Sequence, residues 1–332
     1  MTSTTYDVVA IGNAIIDLIQ AVPDSFLAEE NIAKDAMTLI DEARADHLTA
    51  RLSSATVAAG GSAANTVTGV ASFGGTAAYI GKVADDELGA RFTREFRAAG
   101  VAFNTLPRKG TPGTARSLIA VTPDGHRSMN TYLGASTLLD IADVDAALVQ
   151  SGQTLFLEGY LFDRDEAKAA FIRAAEIARA AGRKVALTLS DKFCVDRHRD
   201  SFRHLVSGHV DILFSNEAEI LSLYEHDDLG AALETARKTC PTTIVTRSSA
   251  GSLIATASET VEVKAFPVSA VVDTTGAGDQ YAAGFLFAHA RERSLAECGA
   301  MASLAAAEVI SHIGPRPEKN LRALALESGL RV

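Results

Sequence analysis

Cysteine is scarce in this chain. Cys194, Cys240 and Cys298 are the only three among 332 residues. They are odd in number, widely spaced and form no CxxC pair. Neither a disulfide framework nor a zinc site is expected, and buried reduced thiols are the ordinary outcome. Long apolar runs are missing too. No stretch approaches the ~20 apolar residues needed to span a bilayer. The run Val8-Val9-Ala10-Ile11, behind the polar start Met1 to Asp7, is too short for a signal core. A cytoplasmic protein is therefore expected. Positive charge is outweighed, with 31 Lys and Arg against 41 Asp and Glu and a net charge of −10. That balance argues against coating nucleic acid or docking on an anionic membrane. It leaves room for small anions, because a cradle of N–H groups can hold phosphate on an acidic protein.

What remains is ordinary globular material, 47% hydrophobic and 22% charged, long enough for one large domain or two modest ones. No internal repeat and no low-complexity linker interrupts it. Residues 7–12 read as a buried first strand, a short apolar run ended by Gly12-Asn13. Residues 61–73 read as a helix of small residues, 77–82 as a strand, and 87–98 as an amphipathic helix closed by Gly100. Beyond about residue 150 the chain alternates. Strands are expected at 154–157, 184–189, 211–214 and 242–246, and the clearest helix at 164–181 is stopped by Gly182. Such alternation predicts an α/β fold, a doubly wound, mostly parallel sheet covered on both faces.

Two stretches break the rhythm. Residues 36–40 form an isolated strand-like run. Residues 114–122 and 127–133 flank the turn Pro123-Asp124-Gly125. They are read as a small β lid, 18–40 with 106–134, on a large domain made of 1–17, 41–105 and 135–332; a flap of this kind suits a cover over an active site.

The most informative segment is Asp273-Thr274-Thr275-Gly276-Ala277-Gly278-Asp279, which runs directly into the apolar helix-like stretch Gln280 to Leu286. Gly276 and Gly278 allow a tight bend and close approach to a ligand. The first N–H groups of a helix lack internal partners and lie at its positive end, so this turn is an anion cradle. A carboxylate at its mouth, Asp279, can take a proton from an attacking hydroxyl, and the helix terminus is expected to keep it ionised and only modestly basic. The competing reading is a helix start capped by Asp273, Thr274 or Thr275, with Asp279 merely a first-turn acid. No GxxxxGK[ST] occurs, and neither this turn nor Gly12-Asn13-Ala14 has the dinucleotide spacing.

Two further segments carry polar groups at helix starts. In Gly60-Gly61-Ser62-Ala63-Ala64-Asn65, Asn65 offers both a donor and an acceptor for sugar hydroxyls, while Ser62 could equally be a cap. In Asn216-Glu217-Ala218-Glu219, Glu219 could orient waters on Mg²⁺, or sit on a solvated helix start. Asp17, just past the first strand, could accept hydrogen bonds from a diol, or be an ordinary loop acid.

Together, Gly12-Asn13…Asp17, Gly60-Gly61…Asn65, Gly81…Gly89, Asn216…Glu219 and Asp273 to Asp279 resemble the ribokinase-like (pfkB-type) family of carbohydrate and nucleoside kinases over nearly the whole chain. The segments Gly159-Tyr160-Leu161-Phe162, Leu187-Thr188-Leu189-Ser190 and Val210 to Glu217 are most similar to its adenosine kinase branch. The resemblance implies a ribokinase-like fold with a β-sheet lid, and transfer of the γ-phosphoryl group of ATP to the 5′-hydroxyl of adenosine, giving AMP. It implies Asp279 as general base, and Gly276, Ala277 and Gly278 as anion hole. Asn13, Asp17, Gly60, Gly61 and Asn65 would hold the sugar, Tyr160 would stack on a purine, and Arg127 would neutralise phosphate. Asn216, Thr246, Arg247 and Gly251 would serve ATP, with Glu219 acting on Mg²⁺ through water. Asp273 and Thr275 lie where many members place a monovalent cation, usually K⁺. The implied partners are a small nucleoside or sugar, no nucleic acid and no membrane, with the chain a monomer or homodimer; exposed lid-strand edges would suit pairing. Alternatives stay open: a kinase for ribose, fructose or a keto-acid sugar; a regulatory protein that binds nucleotide without turnover, against which the intact Asp279 argues; and a nicotinamide oxidoreductase, disfavoured by the missing fingerprint.

Overall fold

The structure, a computed structural model, describes residues 4–332. Met1, Thr2 and Ser3, read above as part of a polar start and of the large domain, lie outside the described residues. The large sheet has nine strands. Its order is Thr260–Val263, Ser252–Thr256, Thr242–Thr246, Ile212–Asn216, Lys184–Thr188, Gly152–Glu158, Tyr6–Ile11, Ala77–Ile80, Val101–Phe103. From Thr242–Thr246 to Val101–Phe103 every pairing is parallel; the first two strands add an antiparallel edge. The central strands are covered on both faces, which is why Val8 to Ile11 form an unbroken apolar run rather than an alternating one. Helices ride where the sequence pattern puts them. Glu87–Ala98 is capped by Asp86, whose carboxylate accepts from Gly89 N at 2.8 Å, and it ends before Gly100 at φ +81°. Asp165–Ala180 likewise ends before Gly182 at φ +73°.

From Tyr6–Ile11 the chain builds one half of the sheet through Ala77–Ile80 and Val101–Phe103. It then crosses to Gly152–Glu158 and builds the other half outward. The strand order thus reverses beside Tyr6–Ile11, and the crevice at the carboxyl ends of these strands is where such folds bind ligands. Gly12, Asn13 and Glu158 stand at that place.

A second, five-stranded sheet has the order Met37–Leu39, Arg127–Tyr132, Ala115–Val121, Ile15–Ala21, Thr56–Gly60. The hairpin at residues 115–132 turns through Gly125 at φ +84°. The sequence-based division of the lid needs correcting in two places. Asp17 lies inside the strand Ile15–Ala21, so a boundary at 17/18 cuts an element. Thr56–Gly60, assigned above to the large domain, pairs antiparallel with Ile15–Ala21 as an edge of the second sheet. Its Val-Ala-Ala-Gly run has no alternation to mark it as a strand. Among the described residues no helix is long and apolar enough to cross a membrane, and all three cysteines are free and buried.

Candidate active site

Asp279 sits in the first turn of the helix Ala277–His289. Its carboxylate accepts from Ser62 Oγ at 2.6 Å and from Asn65 Nδ2 at 3.0 Å, and its carbonyl accepts from Thr66 Oγ1 at 3.2 Å. All three partners lie on the helix Ser62–Ser72, so two helix N-termini meet at one acid. The capping reading of this region is overturned. The N-cap of Ala277–His289 is Gly276, in the left-handed region at φ +77°, with no side-chain cap. The N-cap of Ser62–Ser72 is Gly61, which frees the Ser62 hydroxyl for Asp279. The expected low basicity is overturned as well. Burial of the carboxyl in the crevice raises its pKa to about 6, outweighing the hydrogen bonds from Ser62 and Asn65.

Asp17 faces this acid from the second sheet. Burial raises its pKa to about 7, the nearby charges of Arg316 and Arg127 lower it, and Asp279 raises it again. A Cβ on Gly60 would strike the Asp17 carboxylate, and one on Gly61, at φ +108°, would strike the Asn13 carbonyl. The paired glycines therefore let a strand end and a helix start close over Asp17 and Asn13. Asn13 itself is 2% exposed, and its Oδ1 is buried with no hydrogen-bond partner among the described residues. Its Nδ2 donates to Glu158 Oε1 at 2.7 Å, and its carbonyl accepts from Tyr79 Oη at 2.8 Å. Tyr160 is half-buried beside the acids Asp191, Asp279, Glu219 and Glu158, its hydroxyl donating to the Ser190 carbonyl at 3.2 Å. Phe162 is core: it stacks on Phe202 with centroids 4.3 Å apart and an interplanar angle of 4°.

In the anion loop, the N–H groups of Gly276 and Gly278 have no hydrogen-bond partner among the described residues. Ala277 N already donates to the Thr274 carbonyl at 3.2 Å. Asp273 does not present a free carboxylate. Its Oδ1 accepts from Thr275 N and Thr275 Oγ1 at 3.0 and 2.7 Å, its Oδ2 accepts from Gly314 N at 2.8 Å, and Arg127 Nη2 pairs with Oδ2 by charge at 2.7 Å without hydrogen-bond geometry. These contacts hold Asp273 below the usual carboxylate range against the opposing cost of burial. Oδ1 accepts two hydrogen bonds and Oδ2 one, and the Arg127 guanidinium supplies a positive charge beside them, so the Asp273 side chain is already engaged. Arg127 is committed here rather than to open solvent.

Beyond the loop, a cleft of about 500 Å³ runs between the turn after Thr242–Thr246 and the helices Ala277–His289 and Leu295–Val309. Thr246, Gly251, Ala277 and Gly278 line it, and Phe266, Val268, Val271, Ala306, Ala307 and Ile310 give it an apolar wall. Arg247 is turned away, donating to Glu262 at 3.0 Å and to the Ala250 carbonyl at 3.3 Å. Asn216 and Glu219 form a reciprocal capping box. Asn216 Oδ1 accepts from Glu219 N, and both Glu219 oxygens accept from Asn216, at 2.7 and 2.9 Å. Glu219 is therefore buried, not a solvated helix start, and burial raises its pKa to about 7. Among the described residues no three His, Cys, Asp or Glu side chains gather to cage a metal.

The sequence pattern described as pfkB family carbohydrate kinase matches residues 6–320. The chain belongs to the pfkB family of carbohydrate kinases. It is an ATP-dependent kinase, and the family usually works with Mg²⁺. Among solved structures, an adenosine kinase from Sinorhizobium meliloti is 51% identical, with a TM-score of 0.91, covering 98% of this chain and 100% of that one. A probable sugar kinase from Rhizobium etli is 48% identical, with a TM-score of 0.92, covering 99% and 100%. Adenosine kinase of Saccharomyces cerevisiae is 25% identical over 334 residues, 94% of this chain and 96% of that protein.

Four residues of this pfkB site were not marked by the sequence motifs: Ser62 as a partner of Asp279, and Glu158, Gln280 and Arg316. Glu158, 1% exposed, accepts from Asn13 N, Asn13 Nδ2 and Ala63 N, and burial raises its pKa to about 7. Gln280, fully buried, donates to the carbonyls of Asn65 and Pro315, both at 3.0 Å. Only Gln280 had a local signal, a polar residue heading an otherwise apolar helix.

Proposed function

We propose that this pfkB kinase transfers the γ-phosphoryl group of ATP to the 5′-hydroxyl of adenosine, giving AMP, with Asp279 as general base. The observation that carries the reading is the position of Asp279, between the sugar-facing groups Asp17 and Asn65 on one side and the unpaired N–H groups of Gly276 and Gly278 on the other. Ser62 and Asn65 hold its two oxygens without using all their lone pairs, so a substrate hydroxyl can still donate to it. As the new O–P bond forms and the bond to the β-phosphate oxygen breaks, the hydroxyl proton passes to Asp279 and ADP leaves. The unpaired N–H groups meet the charge that builds on the moving phosphoryl group. When bound, Mg²⁺ neutralises phosphate charge. Asp17 accepts from the ribose diol, and Asn13, Gly60 and Gly61 shape the pocket floor. The apolar cleft takes the nucleotide base of ATP, with Thr246 and Gly251 at its mouth.

The purine assignment rests on Tyr160 and on likeness to proteins named adenosine kinase. Phe162, in the same segment as Tyr160, gives it no support, because its ring is spent in the core. A second reading, a free-sugar kinase, is favoured by the likeness to the protein named a probable sugar kinase. ADP formation measured with adenosine, inosine, ribose and fructose, under one set of ATP and Mg²⁺ concentrations, separates them. Adenosine should have the highest kcat/KM. A clear preference for ribose or fructose would overturn the adenosine reading and leave the kinase intact. Arg127 takes the place of a monovalent cation at Asp273 in this reading, so K⁺ is not required.

A further inference from the structure

Arg316 lies outside every motif discussed so far, in the segment after the helix Leu295–Val309. That segment is pinned on both sides of the site. Gly314 N donates to Asp273, and the Pro315 carbonyl accepts from the buried Gln280 amide. Arg316 is thereby swung into the crevice. Its guanidinium lies 5.3 Å from the Phe96 ring centroid, its Nε donates to Asn65 Oδ1 at 3.3 Å, and its charge acts on Asp17 and Glu95. Its Nη2 is buried with no hydrogen-bond partner among the described residues.

We propose that Arg316 is a positioning residue for phosphoryl transfer, fixing the Asn65 amide so that its NH₂ grips Asp279, and holding Asp17 and Asp279 together in one crevice. The reasoning uses donor and acceptor chemistry alone. Arginine has five donors and no acceptor, and an ionised aspartate has only acceptors. Asn65 stands between one of each, so a single orientation of its amide satisfies both: oxygen toward Arg316, nitrogen toward Asp279. Take the guanidinium away and the amide is free to flip, turning its oxygen on the Asp279 carboxylate. Two carboxylates facing each other also need a cation nearby. Asp17 is faced by Arg316, Arg127 and Asp279; Asp279 is bonded by Ser62 and Asn65, and its charge reaches Asp17, Glu158, Tyr79 and Tyr160. Arg127 is tied up with Asp273, which leaves Arg316 as the less encumbered of the two cations.

The inference rests on Asp279 being the base, and the test separates the two. Arg316→Gln and Arg316→Lys are made in the full chain beside Asp279→Asn. Melting temperature is measured for each, with kcat, KM for ATP and KM for the acceptor from pH 5 to 9. Arg316→Gln should lower kcat by roughly ten- to a hundredfold, as misplaced catalytic groups do, with KM for ATP little changed. Its acid limb should move to higher pH, because Asp17 loses a positive neighbour that lowers its pKa. Arg316→Lys keeps the charge but not the flat donor, so its acid limb should stay near that of the unmodified enzyme while kcat still falls. A folded Arg316→Gln with unchanged kcat and acid limb would overturn the inference. If Arg316→Gln does not fold, Arg316→Lys decides, and full kcat in that variant would overturn it. An active, folded Asp279→Asn would sink the base reading and this inference with it, whereas an inactive Asp279→Asn beside unaffected Arg316 variants sinks this inference alone.

Discussion

The two halves of the crevice are built on different principles. On the acceptor side, Asp17, Asn65, Asp279, Ser62 and Arg316 form a charged, largely buried network in which most groups already have protein partners. On the side proposed for the nucleotide one wall is aliphatic and aromatic, and the polar features are hydroxyls such as those of Thr246, Ser248 and Thr274 with the unpaired backbone N–H groups on the adjoining glycine turn. A preset polar network rejects a ligand that leaves its members unpaired, so it serves specificity. An apolar slot ending in N–H groups accepts a flat base and a polyphosphate with little discrimination. Substrate choice should therefore be sensitive on one side and tolerant on the other.

The sharpest way to break this contrast is at Asp279. Asp279→Asn should lower kcat by about 10²–10⁴ while ATP binding, measured by calorimetry, stays nearly intact. Near-normal turnover in a folded variant would refute the division. The sign of the pH dependence follows from the same group. Asp279 must be unprotonated to accept a proton, and burial has raised its pKa to about 6. In the unmodified enzyme kcat should be flat at pH 7–8 and fall by about tenfold per pH unit well below 6. An acid limb near pH 4 would show that burial does not control this carboxyl.

Next in size are two aromatics of one segment, Tyr160 beside the acids and Phe162 in the core. Tyr160→Ala should cost adenosine roughly ten- to a hundredfold in kcat/KM, the value of a lost base stack, and cost ribose hardly anything. Phe162→Ala should act through the fold instead, losing about 3–5 kcal/mol of stability in denaturant titrations as a core aromatic does. Equal loss with both substrates at Tyr160 would assign that ring to packing as well.

Smaller effects are expected across the crevice. A methyl at Gly278 would meet no protein atom within 4 Å, so Gly278→Ala should melt like the unmodified protein. It should raise KM for ATP by roughly five- to tenfold, the low end of what an extra methyl costs in a packed site. The least change is expected on replacing K⁺ by tetramethylammonium, because the Arg127 guanidinium already occupies Asp273. Turnover should hold, and a K⁺ requirement should emerge only in Arg127→Ala. Strong K⁺ activation of the unmodified enzyme would contradict this.

What could be read from the sequence follows the same divide. The glycine turn at Gly276 was legible as an element because it is local: glycines, a left-handed turn and a helix start within seven residues. The alternation of buried strands and helices was legible because each element is marked by its own period. The acceptor network was not, since Ser62 and Asn65 meet Asp279 across more than 200 positions, and Arg316 meets Asn65 across 251. No pattern along the chain records that Asn13 spends its amide on Glu158, or that Asn216 and Glu219 satisfy each other. The place of Phe162 was not legible for a related reason. A strand end and the core beneath it are equally good places for an aromatic, and only the stacked partner Phe202 decides between them.

The joints between the two sheets have a mechanical consequence. Tyr6–Ile11 passes into Ile15–Ala21 through residues 12–14, a tether that reaches about 10 Å when fully extended. Thr56–Gly60 passes into its helix through Gly61 alone. These two tethers touch each other, join adjacent strands at one side of the five-stranded sheet, and are pinned to the body through Asn13, Glu158 and Tyr79. A swing of that sheet about these two tethers would also have to bend the links at residues 104–114 and after Tyr132. It would leave Asp17, next to the tethers, almost in place, while Arg127, two strands further out on a lever arm of about 10 Å, would be pulled from Asp273.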